Sequence, residues 1–143
     1  KETRFNMRQP FDVMVGAEGW QLSNPPILSM AAIKASLDLF DKVGMDALRE
    51  KSEKLTGYFE FLIRKMDSEY IKIITPSNPK ERGCQISIQV KNADKSLHTK
   101  LTEQYVITDW REPDVLRCAP VPMYTSFEDV YRMVSILKGF LSF

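Results

Sequence analysis

Apolar residues recur at helical spacing in two segments of the first half of the chain. The first segment starts within Ser23-Asn24-Pro25-Pro26, where Ser or Asn would cap the helix and a proline would take its first position, and it should end at Val43, before Gly44. The second runs from about Asp46 to Met66. It includes Gly57, which indicates a close packing contact. The predicted apolar positions of these helices are Met30, Ile33, Leu37, Phe40, Leu48, Leu55, Phe59, Leu62 and Met66.

The second half of the chain alternates short strands with two further helices. Residues 84–90 are the clearest strand, because apolar residues alternate with Gln85, Ser87 and Gln89. Weaker strand patterns cover residues 70–74, 106–108 and 115–119, the last two joined by a polar loop over residues 109–114. One helix is predicted from Asp94 to Tyr105. The last helix follows Ser126, and its apolar face consists of Phe127, Val130, Val134, Leu137 and Leu141.

These elements follow one another in the order α-α-β-β-α-β-β-α. Short strands joined by helices in this order predict an α+β fold, in which helices pack on one face of a small sheet. Residues 1–24 show neither the helical nor the strand spacing of apolar residues, which predicts an irregular arm that leads into the first helix.

The composition of the chain limits the kinds of partner, compartment and metal site that are expected for it. The chain has 143 residues, 43% of them hydrophobic and 27% charged, which is ordinary for one globular domain. A net charge of +1 argues against nucleic acid, and no apolar stretch approaches the roughly 20 residues of a membrane span. Two cysteines predict a reducing compartment, the cytoplasm. A single histidine argues against a metal site.

Arg117 is the one charged residue in the apolar strand over residues 115–119. A buried or half-buried guanidinium needs an anionic partner, and its planar shape suits a carboxylate. Two interpretations are open from spacing alone: a ligand carboxylate, or a structural salt bridge with Asp109 or Asp114.

Asn24 has two interpretations as well, because a helix N-terminus needs a cap and also attracts anions such as phosphate. Three other chemically capable side chains are best explained as structural. His98 is predicted on a helix, at the surface or half-buried. Cys84 and Cys118 are predicted to pack on strands as small apolar residues.

Several blocks of the sequence resemble the kynureninase family. They are GAEGWQLSNPPIL at 16–28, ITP at 74–76, ERGCQ at 81–85, DWREP at 109–113, RCAPVPMY at 117–124 and SFEDVY at 126–131. The resemblance covers essentially the whole chain. Cys118, Met123 and Thr125 depart from the commoner Val, Leu and Asn, and none of the three is a candidate ligand.

The resemblance implies the C-terminal domain of a fold type I enzyme with pyridoxal 5'-phosphate as cofactor, and a mostly antiparallel sheet. Kynureninases are similar to class V aminotransferases. Kynureninases hydrolyse L-kynurenine, or its 3-hydroxy form, to anthranilate, or 3-hydroxyanthranilate, and L-alanine, in tryptophan catabolism and NAD biosynthesis. The Schiff-base lysine belongs to a Tyr-Lys motif upstream, and no such dipeptide occurs here. This chain alone is therefore expected to be inactive and not to retain the cofactor.

The resemblance also assigns roles to three residues. Arg117 matches the arginine that binds the substrate α-carboxylate. Asn24 matches a contact to the cofactor phosphate and the substrate, and Ser23 is expected on the aryl side of the substrate. Residues 1–24 would then be an arm and linker from a missing large domain, and residues 25–143 the small domain. The expected partners are that large domain, a second subunit of a homodimer, and kynurenine. The alternative is a stand-alone, non-catalytic binding module.

Overall fold

The computed structural model describes residue 6, residues 9–10 and residues 13–141. The chain divides into two units, residues 1–42 and residues 43–143, and each is described by itself. The boundary proposed at residue 24 between a linker and a small domain stays a prediction. No helix among the described residues combines the length and apolar character that a membrane crossing requires.

The first unit contains a short 3₁₀ helix, Ala17–Trp20, and the long helix α1, Ile27–Val43. The predicted start of α1 is slightly wrong, because both prolines precede the helix. The carbonyl of Pro26 accepts the hydrogen bond from the Met30 N–H at 3.0 Å, which gives Pro26 the N-cap position. The predicted apolar positions of α1 are exposed in this structure.

The described part of the second unit contains three α-helices, a short 3₁₀ helix (Pro79–Glu81) and four strands. Their bounds are α2 Met45–Lys65, β1 Ile71–Ile73, β2 Ile86–Val90, α3 Lys95–Glu103, β3 Asp109–Arg111, β4 Val115–Cys118 and α4 Phe127–Leu141. Ser126 immediately precedes α4, as predicted, and caps its N-terminus. Its Oγ accepts from the Asp129 N–H at 3.1 Å, and the Asp129 carboxylate accepts from the Ser126 N–H at 2.8 Å.

The four strands form one antiparallel sheet in the order β1-β2-β4-β3. β2 and β4 are the central strands, with Ile86 opposite Cys118 and Ile88 opposite Leu116. Side chains on one face of these strands are buried. Those on the other face, including Ser87 and Arg117, are only half-buried. The period of two predicted for β2 is therefore confirmed, although the strand begins at Ile86 and not at Cys84.

Helices α2, α3 and α4 cover the buried face of the sheet and form the core with it. The fully or nearly buried apolar residues of this core include Leu55, Phe59, Ile63, Ile86, Ile88, Leu101, Leu116, Val130, Met133 and Leu137. The predicted faces of α2 and α4 omitted Ile63 and Met133, and they included Phe127, which is exposed. The α+β fold with helices on one face of a small antiparallel sheet is confirmed.

Two predictions about local structure are wrong. Residues 106–108 form no strand. Instead β3 covers part of the predicted polar loop, where Trp110 pairs with Leu116 while Asp109 and Arg111 occupy exposed positions. One apolar residue between two charged ones gives too weak an alternation to indicate a strand. Gly57 makes no close packing contact, since a Cβ there would meet nothing within 4 Å.

Candidate carboxylate-binding site

Arg117 lies on β4, a central strand, on the half-buried face of the sheet. Its neighbours in the strand, Leu116 and Cys118, point into the core, so the alternation of the strand directs the guanidinium away from the core. The Arg117 side chain retains 33% of its exposure. The expectation of a half-buried arginine in an apolar strand is confirmed, and a ligand can reach it.

Gln85 holds one edge of the Arg117 guanidinium. Its Oε1 accepts hydrogen bonds from Nε at 3.1 Å and from Nη2 at 2.7 Å. Gln85 immediately precedes β2, and Ser87 lies directly opposite Arg117 in the pairing of β2 with β4. The amide therefore reaches Arg117 from a diagonal position across the two strands. Because Gln85 is neutral, it orients the guanidinium without cancelling its charge.

Asp109 contacts the other terminal nitrogen of Arg117. Its Oδ2 lies 3.0 Å from Arg117 Nη1 and also 3.0 Å from Arg111 Nη2. Asp109 is directly opposite Arg117 in the pairing of β3 with β4. The salt bridge with Asp109 that spacing left open is thus present, whereas Asp114 accepts from Gln89 at 2.9 Å. Two guanidinium groups share one carboxylate, so this cluster keeps an excess positive charge.

The hydrogen bonds of Arg117 leave capacity for a ligand. A guanidinium has five N–H groups. Within the described part of the chain, Gln85 uses one on Nε and one on Nη2, and Asp109 pairs with Nη1. One N–H on each terminal nitrogen is left over, and two such groups suit a carboxylate.

Ser23 and Asn24 lie in the first unit, in the exposed loop between the short 3₁₀ helix and α1. Gln21 Nε2 donates to the Ser23 carbonyl at 2.7 Å and so shapes this loop. Gly19, within the short 3₁₀ helix, packs closely on the chain before that helix, because a Cβ there would clash with the Met14 carbonyl oxygen. Asn24 precedes the N-cap residue of α1 by two positions. Arg117 belongs to the second unit.

The described residues fit only one end of a pyridoxal-phosphate site. The N–H groups in the first turn of α1, beside Asn24, have no partner within the helix and are suited to phosphate. A Schiff-base lysine needs a desolvated pocket to lower its pKa. The described lysines do not provide one, since all are exposed except the half-buried Lys51. The carbonyl-binding end of such a site is therefore absent from residues 13–141.

Among the other chemically capable side chains, Cys118 is buried on β4 as predicted, whereas Cys84 lies before β2 and on no strand, contrary to the prediction. Burial raises the pKa of Cys118 to about 12, which leaves its thiol protonated and unreactive at neutral pH. Cys84 is half-buried. His98 lies half-buried on α3, where its Nε2 is 3.1 Å from the Thr108 carbonyl oxygen. No group of three or more potential metal ligands occurs among the residues described.

A groove of about 310 Å³ lies where β4 ends and α4 begins. Its lining is mainly apolar and includes Phe59, Cys118, Pro120, Tyr124 and Met133. Arg117 is not among the lining residues, because it projects from the opposite face of β4. The groove is therefore separate from the candidate carboxylate site.

Comparison with solved structures defines the class of fold. The structure is similar to 8-amino-7-oxononanoate synthase from Francisella tularensis, with a TM-score of 0.61 over 83% of this chain and 34% of that chain. The sequence identity is 20%, so the likeness concerns the fold alone. The fold that the two proteins share is an α+β fold, with helices on one face of a small antiparallel sheet.

Sequence comparison identifies the family within that class. The model of the kynureninase C-terminal domain matches residues 48–137, and the chain belongs to that family. It is 50% identical over 97% of its length to the kynureninase of Myxococcus xanthus, and 52% identical over 94% to that of Koribacter versatilis. The kynureninase of Flavobacterium johnsoniae is 50% identical over 96% of this chain. The resemblance drawn from the sequence motifs is confirmed.

The match covers only part of each relative. The chain spans 33% of the Myxococcus protein and 32% of the Koribacter protein, about a third of each. The activity of those whole proteins therefore bears on this chain only as a proposal.

Gln85 is the site residue that the sequence analysis missed. Alternation placed it on the polar side of the predicted strand over residues 84–90; it lies one residue before β2, with its side chain beside Ser87. The sequence does not state that β2 and β4 are neighbours, however, and without that pairing nothing links Gln85 to Arg117.

Proposed function

We propose that this chain is the C-terminal small domain of a kynureninase, in which it binds the α-carboxylate of the substrate. The full-length enzyme would hydrolyse L-kynurenine, or 3-hydroxykynurenine, to anthranilate, or 3-hydroxyanthranilate, and L-alanine. That reaction belongs to tryptophan catabolism and NAD biosynthesis. Membership of the family supports the proposal, as does the fold.

The observation that carries the carboxylate role is the geometry of Arg117. Its guanidinium is half-buried, is held by a neutral amide on one edge, and belongs to a cluster with excess positive charge. The two N–H groups that remain on its terminal nitrogens are what a substrate carboxylate needs for a paired contact.

Arg117 would act by orientation. Fixing the α-carboxylate limits the conformations of the amino-acid substrate, so that one defined bond is presented for cleavage. Pyridoxal phosphate, when bound, supplies the electron sink for cleavage of that bond. The contribution of this chain is a fixed positive charge in a partly desolvated position, where a charge-assisted contact is strong.

Asn24 and Ser23 would complete the contacts made by this chain. Asn24 would contact the cofactor phosphate and the substrate, since it stands beside the N-terminus of α1, a favourable position for an anion. Ser23 would contact the aryl side of the substrate. Asn24 would serve either the site of its own subunit or that of a partner subunit in a homodimer.

The remaining parts of the enzyme would lie outside this chain. The large domain would supply the Schiff-base lysine, and the working form would be a cytoplasmic homodimer. Residues 1–24 would connect the two domains. The chain alone is expected to be inactive and not to retain pyridoxal phosphate, because its described lysines are solvent-accessible.

Substitution of Arg117 in the full-length enzyme tests this function. Arg117→Ala should lower kcat/KM by roughly 30- to 1,000-fold, and Arg117→Lys should not restore it, because lysine lacks the planar pair of donors. The melting temperature should change little, since a solvent-accessible ion pair such as that with Asp109 contributes little to stability. Arg132→Ala, which removes an exposed arginine of α4, is the matched control.

One result would favour the structural interpretation. If Arg117→Ala leaves kcat/KM unchanged and lowers only the melting temperature, Arg117 serves the salt bridge with Asp109. The carboxylate role of Arg117 would then be refuted, while membership of the kynureninase family would stand.

A further inference from the structure

Gln85 has a fixed orientation as well as a fixed position. Its Oε1 accepts from Arg117, while its Nε2 lies 3.2 Å from Ser87 Oγ as a donor. Arg117 can only donate hydrogen bonds, so the amide must present its oxygen to the guanidinium. Both ends of the Gln85 side chain are thus used, and its rotation would cost hydrogen bonds at both ends.

The backbone around Gln85 is anchored on both sides. After it, Ser87 N donates to Thr75 Oγ1 at 2.8 Å, and Ile74 N donates to the Ser87 carbonyl at 2.9 Å. Before it, the nearly buried Arg82 side chain pairs with Glu60 of α2 at 2.6 Å. Gln85 therefore extends from a rigid segment, which is the condition for a side chain that orients another.

Gln85 is also suited to its position because its side chain is neutral. Arg117 already shares the Asp109 carboxylate with Arg111. A second carboxylate at position 85 would neutralise the cluster and repel an anionic ligand. An amide oxygen instead supplies two hydrogen bonds to the guanidinium and leaves its positive charge available.

We infer that Gln85 is a positioning residue for Arg117. It fixes the plane of the guanidinium, so that one N–H on each terminal nitrogen stays available for the substrate α-carboxylate. The inference rests on the proposed carboxylate role of Arg117 and adds a residue that acts through it.

Steady-state kinetics of the full-length enzyme that carries this chain test the inference. Gln85→Ala should raise KM for L-kynurenine by about 10-fold, the expected loss for hydrogen bonds to a charged group. In an Arg117→Ala background the same change should alter KM by less than about 2-fold, because the group that Gln85 orients is gone. Gln89→Ala is the matched control, since Gln89 lies on the same side of β2 and binds Asp114 instead; its KM should not change.

The variants separate this inference from the proposed function. If Arg117→Ala lowers kcat/KM as proposed while Gln85→Ala leaves KM unchanged, the positioning role is refuted and the carboxylate role stands. If Arg117→Ala has no effect, the carboxylate role fails and the positioning role fails with it. If Gln85→Ala raises KM equally in both backgrounds, its effect does not pass through Arg117 and the inference is wrong.

Should Gln85→Ala fold poorly, Gln85→Met keeps the length of the side chain and removes the hydrogen-bond acceptor. The same rise in KM is expected of it, and an unchanged KM would overturn the inference.

Discussion

Glu60 of α2 is the anchor for the segment that precedes β2. Its Oε1 accepts from Ser77 Oγ at 2.6 Å and from Arg64 Nη2 at 2.8 Å, and its Oε2 accepts from Arg82 Nη1 at 2.6 Å. Arg82 retains only 3% of its side-chain exposure, and its Nη1 also donates to the Pro76 carbonyl. Replacement of Glu60 by Gln would leave the Arg82 charge buried without its counter-ion.

The size of the effect follows from that burial. Removing one partner of a buried ion pair costs about 3 to 5 kcal/mol, because the other charge stays buried and uncompensated. The substituted glutamine would still offer one amide oxygen, so we expect Glu60→Gln to lower the free energy of unfolding by about 3 kcal/mol, at the lower end of that range. Glu50→Gln on the same helix is the control, because the Glu50–Lys54 pair is exposed and its loss should leave unfolding unchanged.

The same contact predicts the response to acid. Burial alone would raise the pKa of Glu60, but hydrogen bonds from Ser77, Arg82 and Arg64 outweigh burial and lower the pKa from 4.5 to about 2. A carboxyl group with a lowered pKa in the folded state stabilises the protein above its unfolded pKa. That stability is lost as the pH falls from about 4.5 to about 2, so the difference between wild type and Glu60→Gln should shrink over this range.

Urea unfolding of the 143-residue chain at about pH 7 and about pH 3 measures both effects. At neutral pH, Glu60→Gln should unfold at a lower urea concentration than the wild type, with the same dependence of the free energy of unfolding on urea. The difference in this free energy between the two proteins should be smaller in acid. If Glu60→Gln behaves as Glu50→Gln does, or if the difference is the same at both pH values, the account of this anchor is wrong.

Three further changes test other parts of the fold. Gly57→Ala should raise the free energy of unfolding by about 1 kcal/mol, since the site is helical and open; a decrease would reveal a contact missing from this structure. Ser126→Ala should lower it by about 1 kcal/mol through loss of the cap of α4, and a neutral result in thermal unfolding would exclude that cap. In thiol labelling of the native chain at neutral pH, Cys84 should react before Cys118, whose pKa of about 12 and burial protect it; equal rates would contradict this.

Sequence patterns predicted the elements with strong periodicity. The helices and the alternation of β2 follow from apolar spacing alone. Helices α2, α3 and α4 bury their apolar faces against the sheet, whereas the apolar positions of α1 are exposed in this structure. β3 escaped prediction because Trp110 is its one apolar residue. Helix α1 starts later than the sequence predicted, because the carbonyl of Pro26, and not that of an earlier residue, accepts the first helical hydrogen bond.

The sequence predicted only those parts of the candidate site that a local pattern can show. A single charge in an apolar strand drew attention to Arg117, and spacing named Asp109 as a possible partner. The contact with Gln85 depends on β2 lying beside β4, which are separated along the chain by α3 and β3. Strand order is a tertiary property, so no local pattern could have joined those two side chains.

The central claim is that Arg117 binds the α-carboxylate, and paired binding measurements test it most directly. Binding of L-kynurenine and of its analogue without the α-carboxylate would be compared in wild-type and Arg117→Ala full-length enzyme. The account predicts that the substitution weakens L-kynurenine by about 30-fold or more and leaves the affinity of the analogue almost unchanged. Equal weakening of both ligands, or of neither, would contradict it.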